Sequence, residues 1–245
     1  MFFKCLRWLQ DLFFPRHCVL CDRILPMMPA GAILSVCPTC KKGLPYVKEP
    51  FCMKCGKPLG LDQKEYCTDC LRAKHSFLGG RAVFVYTGPM KESMYRFKYG
   101  GRREYADFFA KEALRIQGRW LSKIRPDCVI PVPLHRKKLR KRGYNQAEDF
   151  AAALAHQAHA RMDPHLVRRT RNTVPMKGLS AADRRQNVKN AFSVDEKRLQ
   201  RFDYKRILIV DDIYTTGSTI DSIAKALTRN PGREVYFLCI CTGQG

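Results

Sequence analysis

One stretch decides the fold of the chain: Ile207-Leu-Ile-Val-Asp-Asp-Ile-Tyr-Thr-Thr-Gly-Ser-Thr-Ile220. Its first four residues are all apolar, which is typical of a central strand in a parallel sheet that is buried on both faces. Two acids follow this strand, and small hydrogen-bonding residues then lead into a helix whose buried stripe begins at Ile220. A strand, a turn and a helix in this order predict one unit of an α/β fold.

The turn has the chemistry of a phosphate site. Hydroxyls and backbone N–H groups can wrap around a phosphate, and the helix N-terminus adds the positive end of its dipole. Asp211 and Asp212 can accept hydrogen bonds from vicinal hydroxyls, as acidic residues do for ribose. The turn therefore suits a ribose 5-phosphate, whereas an ordinary capped turn would not require two adjacent carboxylates. The residues assigned to the phosphate are Thr215, Thr216, Gly217, Ser218 and Thr219.

Strands and helices alternate on both sides of this turn. Apolar runs predict strands at 81–86, 128–133 and 235–241, and apolar residues at helical spacing predict a helix over 104–120. Asn145 can cap a further helix, with Glu148 at the capping-box position. This alternation predicts an α/β fold with a parallel sheet.

Eight of the twelve cysteines form four CxxC pairs within the first 70 residues, separated by 15, 11 and 11 residues. Two residues between thiolates let both sulfurs bind one tetrahedral ion, and two such turns complete a structural zinc site. We therefore predict two structural zinc ions; disulfides are the main alternative. A sequential partition is the simplest, and an interleaved one stays open. The pairs are Cys18/Cys21, Cys37/Cys40, Cys52/Cys55 and Cys67/Cys70.

The charge and the N-terminus limit partners and location. A net charge of +23 indicates contact with polyanions: nucleic acid, phosphorylated metabolites or an anionic membrane. No apolar run reaches the roughly 18 residues of a membrane-spanning helix. Reduced thiols and zinc indicate a cytoplasmic protein.

The chain is predicted to have three parts. These are an amphipathic helix at 1–15, a double zinc ribbon at 16–75 and the α/β domain at 76–245. The helix either packs on the protein or anchors it at the inner face of the membrane.

The 207–220 stretch resembles the phosphoribosyl pyrophosphate (PRPP) motif of type I phosphoribosyltransferases. The resemblance implies that Asp211 and Asp212 contact the ribose hydroxyls and that 215–219 hold the 5-phosphate. It also implies a magnesium ion that bridges the ribose and the pyrophosphate.

Two further segments support this resemblance. Residues 130–146 resemble the pyrophosphate-loop region of the glutamine-dependent members, which places Leu134, His135 and Arg136 at that loop. A solvated basic run or a contact with a nucleic-acid backbone is the alternative for this segment. Residues 168–192 resemble the flexible hood that closes over PRPP. Together with the paired ribbons, these motifs resemble the ComF family, double-zinc-ribbon phosphoribosyltransferase-like proteins linked to DNA uptake in naturally transformable bacteria.

Two functions follow from this resemblance. In the first, the chain is a phosphoribosyltransferase with an unidentified acceptor. In the second, it is a non-catalytic module that binds phosphate or single-stranded DNA with a helicase partner. Tyr95, Phe97 and Tyr99, interleaved with Arg96 and Arg102, offer a base-stacking patch for the second function, although core packing would explain Phe97 equally well. A zinc-ribbon transcription factor would explain neither the paired acids nor the phosphate turn.

Overall fold

A four-stranded parallel sheet forms the centre of the protein. The computed structural model describes residues 15–26, 34–171, 183, 186–187, 190–229 and 231–243. The predicted N-terminal helix and most of the predicted hood lie outside these residues. In spatial order the strands are β1 (Gly79–Val85), β6 (Glu234–Thr242), β5 (Arg206–Tyr214) and β2 (Cys128–Pro131). The predicted α/β fold with a parallel sheet is confirmed.

Helices cover both faces of the sheet. Two short helices, α1 (Pro38–Lys42) and α2 (Thr68–Arg72), belong to the cysteine-rich segment. The remaining elements are α3 (Pro89–Tyr99), α4 (Tyr105–Ile124), α5 (Arg136–Arg142), α6 (Gln146–Gln157), α7 (Glu196–Phe202), α8 (Ser218–Leu227) and an antiparallel pair, β3 (Val167–Arg169) and β4 (Phe192–Val194). None of the helices in the described residues has both the length and the apolar composition needed to cross a bilayer.

Alternate residues of β5 enter two different hydrophobic cores. Leu208 and Val210 pack with α4 and α6, whereas Ile207 and Ile209 pack with α8. Successive side chains of a strand point to opposite faces. Consequently, Asp211 and Asp212 project to opposite sides of the sheet.

Two sequence predictions about local structure are wrong. β5 does not end before the two acids but continues to Tyr214, because β6 supplies hydrogen-bonding partners as far as the Tyr214–Thr242 register. The basic run 136–142 is a helix rather than a loop, and the sequence contains the signals for it. The His135 side chain accepts a hydrogen bond at the N-cap, and Gly143 ends the helix at φ +85°.

The cysteine-rich segment shares its cores with the sheet. Val19 and Leu20 pack in the same cluster as Phe97 and Phe109, while Cys52 and other cysteines of the second half pack with Phe77 and Phe237. The domain boundary near residue 75 stays a prediction. Residues on both sides of it pack in the same two hydrophobic clusters. Two ribbons of this size would have little core of their own, so burial against the sheet contributes to their stability.

Candidate phosphate turn and zinc centres

A concave site lies where β5 ends and α8 begins. It is lined by Asp211, Ile213 and residues 214–220, so the five predicted phosphate residues and one of the two predicted acids share one concavity. Thr216 Oγ1 and Ser218 Oγ lie 2.7 Å apart. Gly217, the N-cap of α8, has no side chain to accept from the first N–H groups of that helix. Those donors are available to a ligand.

Gly217 is required at this turn for two reasons. Its φ is +75°, a conformation that L-residues rarely adopt, and a Cβ there would lie 2.6 Å from the Tyr214 hydroxyl oxygen. The Tyr214 ring is itself held against Phe237, with ring centroids 4.6 Å apart and nearly parallel. The turn therefore rests closely on a stacked aromatic pair in the core.

Asp212 faces away from this concavity into a polar cluster. Its side chain is 8% exposed, and its Oδ2 lies 3.0 Å from Lys98 Nζ on α3. Gln146 Nε2, at the start of α6, donates to the same oxygen at 2.5 Å. Arg142 in turn donates to Gln146 Oε1. Sequence reasoning missed Lys98 and Gln146, because a single lysine or glutamine far along the chain carries no signal of its partner.

The paired acids affect the ionisation of this site. Burial and the charge of Asp212 together raise the pKa of Asp211 to about 8, although Lys98 and Arg169 act in the opposite direction. For Lys98, burial favours the neutral amine, but Asp212 and Asp211 outweigh it and raise the pKa of the ammonium above its ordinary value. The cluster thus contains a firmly charged lysine and an aspartate that binds a proton readily.

The three predicted pyrophosphate residues lie near the same edge of the sheet. β2 and β5 are adjacent and parallel, and their pairing ends at Pro131 and Val210, so the segment after β2 leaves the sheet beside Asp211. Val132 N donates to Val210 O at 2.9 Å just before this point. Leu134 and His135 are partly buried and Arg136 is exposed. His135 Nδ1 accepts from Lys137 N at 3.3 Å and caps α5, so its ring already has a structural role.

Eight cysteines form two separate groups of four. The first comprises Cys18, Cys21, Cys37 and Cys40 and the second Cys52, Cys55, Cys67 and Cys70, with the sulfurs in each group within 4.8 Å of one another. A tetrahedral zinc–thiolate site with 2.3 Å bonds places its sulfurs about 3.8 Å apart. Cys21 and Cys37 sulfurs are 3.9 Å apart, and Cys55 and Cys67 sulfurs are 3.6 Å apart. The donor sets fit two structural zinc ions, and the sequential partition is confirmed over the interleaved one.

Burial and hydrogen bonds among the thiols shift the pKa values of the clustered cysteines in both directions, downwards for Cys37, Cys52 and Cys67 and upwards for Cys18, Cys40, Cys55 and Cys70. A backbone hydrogen bond from Cys40 lowers the pKa of Cys37 to about 7, against the opposing effect of its burial. Hydrogen bonds from the thiols of Cys55, Cys67 and Cys70 lower the pKa of Cys52. Zinc competes with protons for all of these sulfurs, so the protons on the thiols with a raised pKa must leave when the metal binds.

The second cysteine cluster lies directly behind the phosphate turn. Lys57, between its two halves, is 6% exposed and places its ammonium 5.8 Å from the centre of the Tyr214 ring. The same ammonium pairs with Asp69 at 2.6 Å. Just after the cluster, His75 Nδ1 contacts Asp221 Oδ2 at 2.6 Å in the first turn of α8. The turn and the start of α8 are therefore both supported by this segment.

Comparison with known proteins identifies relatives that align with most of this chain. A family profile described as "Double zinc ribbon domain" matches residues 9–71. "Competence protein F" of Haemophilus influenzae is 32% identical, with 91% of this chain and 95% of that protein covered. "DNA utilization protein YhgH" of Escherichia coli K12 is 31% identical, with 93% and 97% covered. "Competence protein ComFC" of Bacillus subtilis is 27% identical, with 78% and 77% covered. With its two four-cysteine clusters, its parallel sheet and its similarity to the first two of these relatives over nine-tenths of its length, the chain belongs to the ComF family.

Proposed function

We propose that the protein binds PRPP together with magnesium at the β5–α8 turn and acts in the uptake or use of DNA. One observation carries the first part: Asp211, four hydroxyl residues and the N-terminus of a ten-residue helix line a single concavity. A ribose 5-phosphate presents a phosphate and vicinal hydroxyls, which are the groups that these donors and this carboxylate recognise. The DNA role is supported by the names of two relatives that align over nine-tenths of the chain.

Each group at the turn has a distinct role in this proposal. Residues 215–219 hold the 5-phosphate through their hydroxyls and N–H groups, and Asp211 accepts from a ribose hydroxyl. Asp212 was also predicted to contact the ribose. In its present position it holds Lys98 behind the strand, so we propose that it orients β5 and that contact with the ribose would require it to turn. Leu134, His135 and Arg136 are proposed for the pyrophosphate, with the Arg136 guanidinium as the charge that reaches it.

The donor set at the turn also fits magnesium. This ion prefers oxygen ligands and is usually held by one or two carboxylates together with phosphates of the substrate, and Asp211 supplies such a carboxylate. When bound, magnesium would neutralise charge on the pyrophosphate. Transfer of the ribosyl group to an acceptor is the enzymatic form of the proposal, and the acceptor and its base are unassigned.

A non-catalytic single-stranded DNA module is the second candidate, and α5 favours it. Six of its seven residues are Lys or Arg and none is acidic, and four of these cations, Arg136, Lys137, Arg140 and Lys141, are exposed. A single pyrophosphate could contact only a few of them, whereas a DNA backbone would engage the whole row. A helicase that delivers or receives the strand belongs to this second candidate.

Calorimetric titration with PRPP, with and without magnesium, tests the first candidate. At pH 9, where the Asp211 carboxylate is ionised, Asp211→Asn should weaken binding by about 10- to 100-fold, because a hydrogen bond to a charged group contributes roughly 1.5–3 kcal/mol. Asp62→Asn, an exposed aspartate in the ribbon, is the matched control and should bind as the wild type does. Equal affinity in all three proteins would refute the site. Pyrophosphate release with candidate acceptors would then separate an enzyme from a binding protein.

The affinity for magnesium and PRPP should also rise with pH. Asp211, with a pKa raised to about 8, is largely protonated at pH 7, and a proton must leave before its carboxylate can accept from ribose or bind a metal. Affinity should therefore increase by up to about tenfold per pH unit below pH 8 and level off above it. Titrations between pH 6.8 and 9 measure this. In the Asp211→Asn variant, the part of the rise of log affinity with pH that comes from residue 211 should disappear. If log affinity rises with pH as steeply as in the wild type, Asp211 is not the group that titrates.

A further inference from the structure

Two exposed tyrosines on α3 form an aromatic surface beside the basic helix α5. Tyr95 is 65% exposed and Tyr99 61% exposed. They are four residues apart and therefore adjacent on one helix face, with ring centroids 5.2 Å apart. The opposite face of α3 is buried through Met90, Met94 and Phe97. Packing of the helix thus explains its apolar face and leaves the two tyrosines unexplained.

A cation joins this aromatic surface to α5. The guanidinium of Arg142, the last residue of α5, lies 4.7 Å from the centre of the Tyr99 ring. α5 spans seven residues, or about 10 Å at 1.5 Å per residue, and its exposed cations continue the positive charge of Arg142 along that length. The surface therefore combines rings for stacking with a row of positive charge.

The structure also revises which cations belong to this surface. Arg96 donates to Leu20 O in the first ribbon, and Arg102 pairs with Asp22 at 3.2 Å. Phe97 is fully buried. Of the patch predicted from the sequence, only Tyr95 and Tyr99 remain exposed for stacking, and the cation beside them comes from a different helix.

We propose that Tyr95 and Tyr99, backed by Arg142, stack on unpaired bases of single-stranded DNA whose backbone runs along α5. This inference rests on the proposed DNA role and specifies where the bases would lie. Single-stranded nucleic acid is recognised by a positive groove that follows the phosphates and by aromatic rings on which successive bases stack. An acidic peptide would use the cations but leave the rings without partners, and a duplex would keep its bases inside the helix. A single strand is the ligand that engages both parts.

The surface also connects to the phosphate turn. Arg142 donates to Gln146, and Gln146 donates to Asp212, whose neighbour Asp211 lines the PRPP concavity. A base stacked on Tyr99 would thus lie at one end of a short polar chain that ends at β5. DNA and PRPP would occupy adjacent sites.

Fluorescence anisotropy with a labelled oligothymidylate tests the proposal. Tyr95→Ala with Tyr99→Ala should weaken binding at least about tenfold, given the usual contribution of base–aromatic stacking. Tyr95→Phe with Tyr99→Phe keeps both rings and should bind within about twofold of the wild type. The wild type should bind an abasic strand of the same length about as weakly as the alanine variant binds the normal strand.

Salt dependence separates the rings from the cations. The alanine variant should keep the wild-type slope of log affinity against log salt, since no phosphate contact is lost. Lys137→Gln with Lys141→Gln should flatten that slope, by up to about 0.7 for each phosphate no longer neutralised. If the two lysine substitutions leave the salt slope at its wild-type value, the DNA backbone does not run along α5.

Failure of this inference can be distinguished from failure of the proposed function. If the wild type and the alanine variant bind oligothymidylate equally well, the stacking site is wrong and the DNA role remains. Equal binding of the abasic strand would mean the same. Wild-type protein that binds no oligonucleotide at low ionic strength would overturn the DNA role itself. The PRPP titration of the alanine variant should match that of the wild type and confirms that the variant is folded.

Discussion

Cys67→Ser should release zinc from the second cluster and abolish binding at the phosphate turn. Structural zinc contributes apparent binding free energies of about 10–16 kcal/mol in zinc-finger peptides, which is as large as the whole stability of a typical domain. The second cluster packs in one core with Phe77 and Phe237, and Lys57 approaches the Tyr214 ring beneath the turn. Without zinc, these supports of the turn should be lost.

Zinc content, urea unfolding and PRPP titration measure the three consequences. The variant should hold about one zinc ion per chain instead of two, unfold at lower urea and lose PRPP affinity. Cys128→Ala is the matched control, because Cys128 is buried but lies outside both clusters, and its variant should keep two zinc ions. A Cys67→Ser protein that retains two zinc ions, or that loses one and binds PRPP normally, would contradict the prediction.

Lys98→Met should lower the free energy of unfolding by about 3–5 kcal/mol, because removal of one partner leaves a buried charge uncompensated. Asp212 is 8% exposed and has Lys98 as its ion-pair partner at 3.0 Å, with Gln146 as a neutral donor. Methionine has nearly the length of lysine, so packing should change little. Urea unfolding of the ligand-free protein at neutral pH measures the effect.

A double substitution isolates the electrostatic part of this effect. Lys98→Met combined with Asp212→Asn removes both charges and keeps an acceptor for Gln146, so it should recover much of the stability that Lys98→Met loses. Lys98→Arg keeps the cation and should be milder than the methionine change. If the double variant is less stable than Lys98→Met alone, the pair is not the reason for the loss.

Local sequence patterns predicted most of the fold. The apolar run at 207–210 and the stripe from Ile220 are properties of consecutive residues, and the strand and helix form where they predict. The four CxxC pairs also led to the correct partition, because the simplest closure uses neighbouring pairs. The helical state of 136–142 was available in the sequence, from a cap at His135 and Gly143 at the C-terminal end. In this segment the run of basic residues indicated a phosphate-binding or solvated stretch, and the capping residues at its two ends were not used.

Contacts between distant segments were not accessible in the same way. Lys98 and Asp212 are 114 residues apart along the chain and 3.0 Å apart in space, and nothing in the residues around either one identifies the other. The adjacency of Asp211 and Asp212 suggested that both face one ligand. The continuation of β5 to Tyr214 places them on opposite faces of the sheet instead.

The sequence by itself determined the parallel α/β core, the two four-cysteine clusters and the hydroxyl-rich turn between β5 and α8, because each depends on the order and spacing of residues close together in the chain. Only the tertiary structure decided which face each acid occupies, that the second cysteine cluster lies against the turn between β5 and α8, and that Arg142 rather than Arg96 or Arg102 lies against Tyr99. Those outcomes follow from strand pairing and from burial of two shared cores. Both bring together side chains whose separation in sequence carries no information about their distance in space.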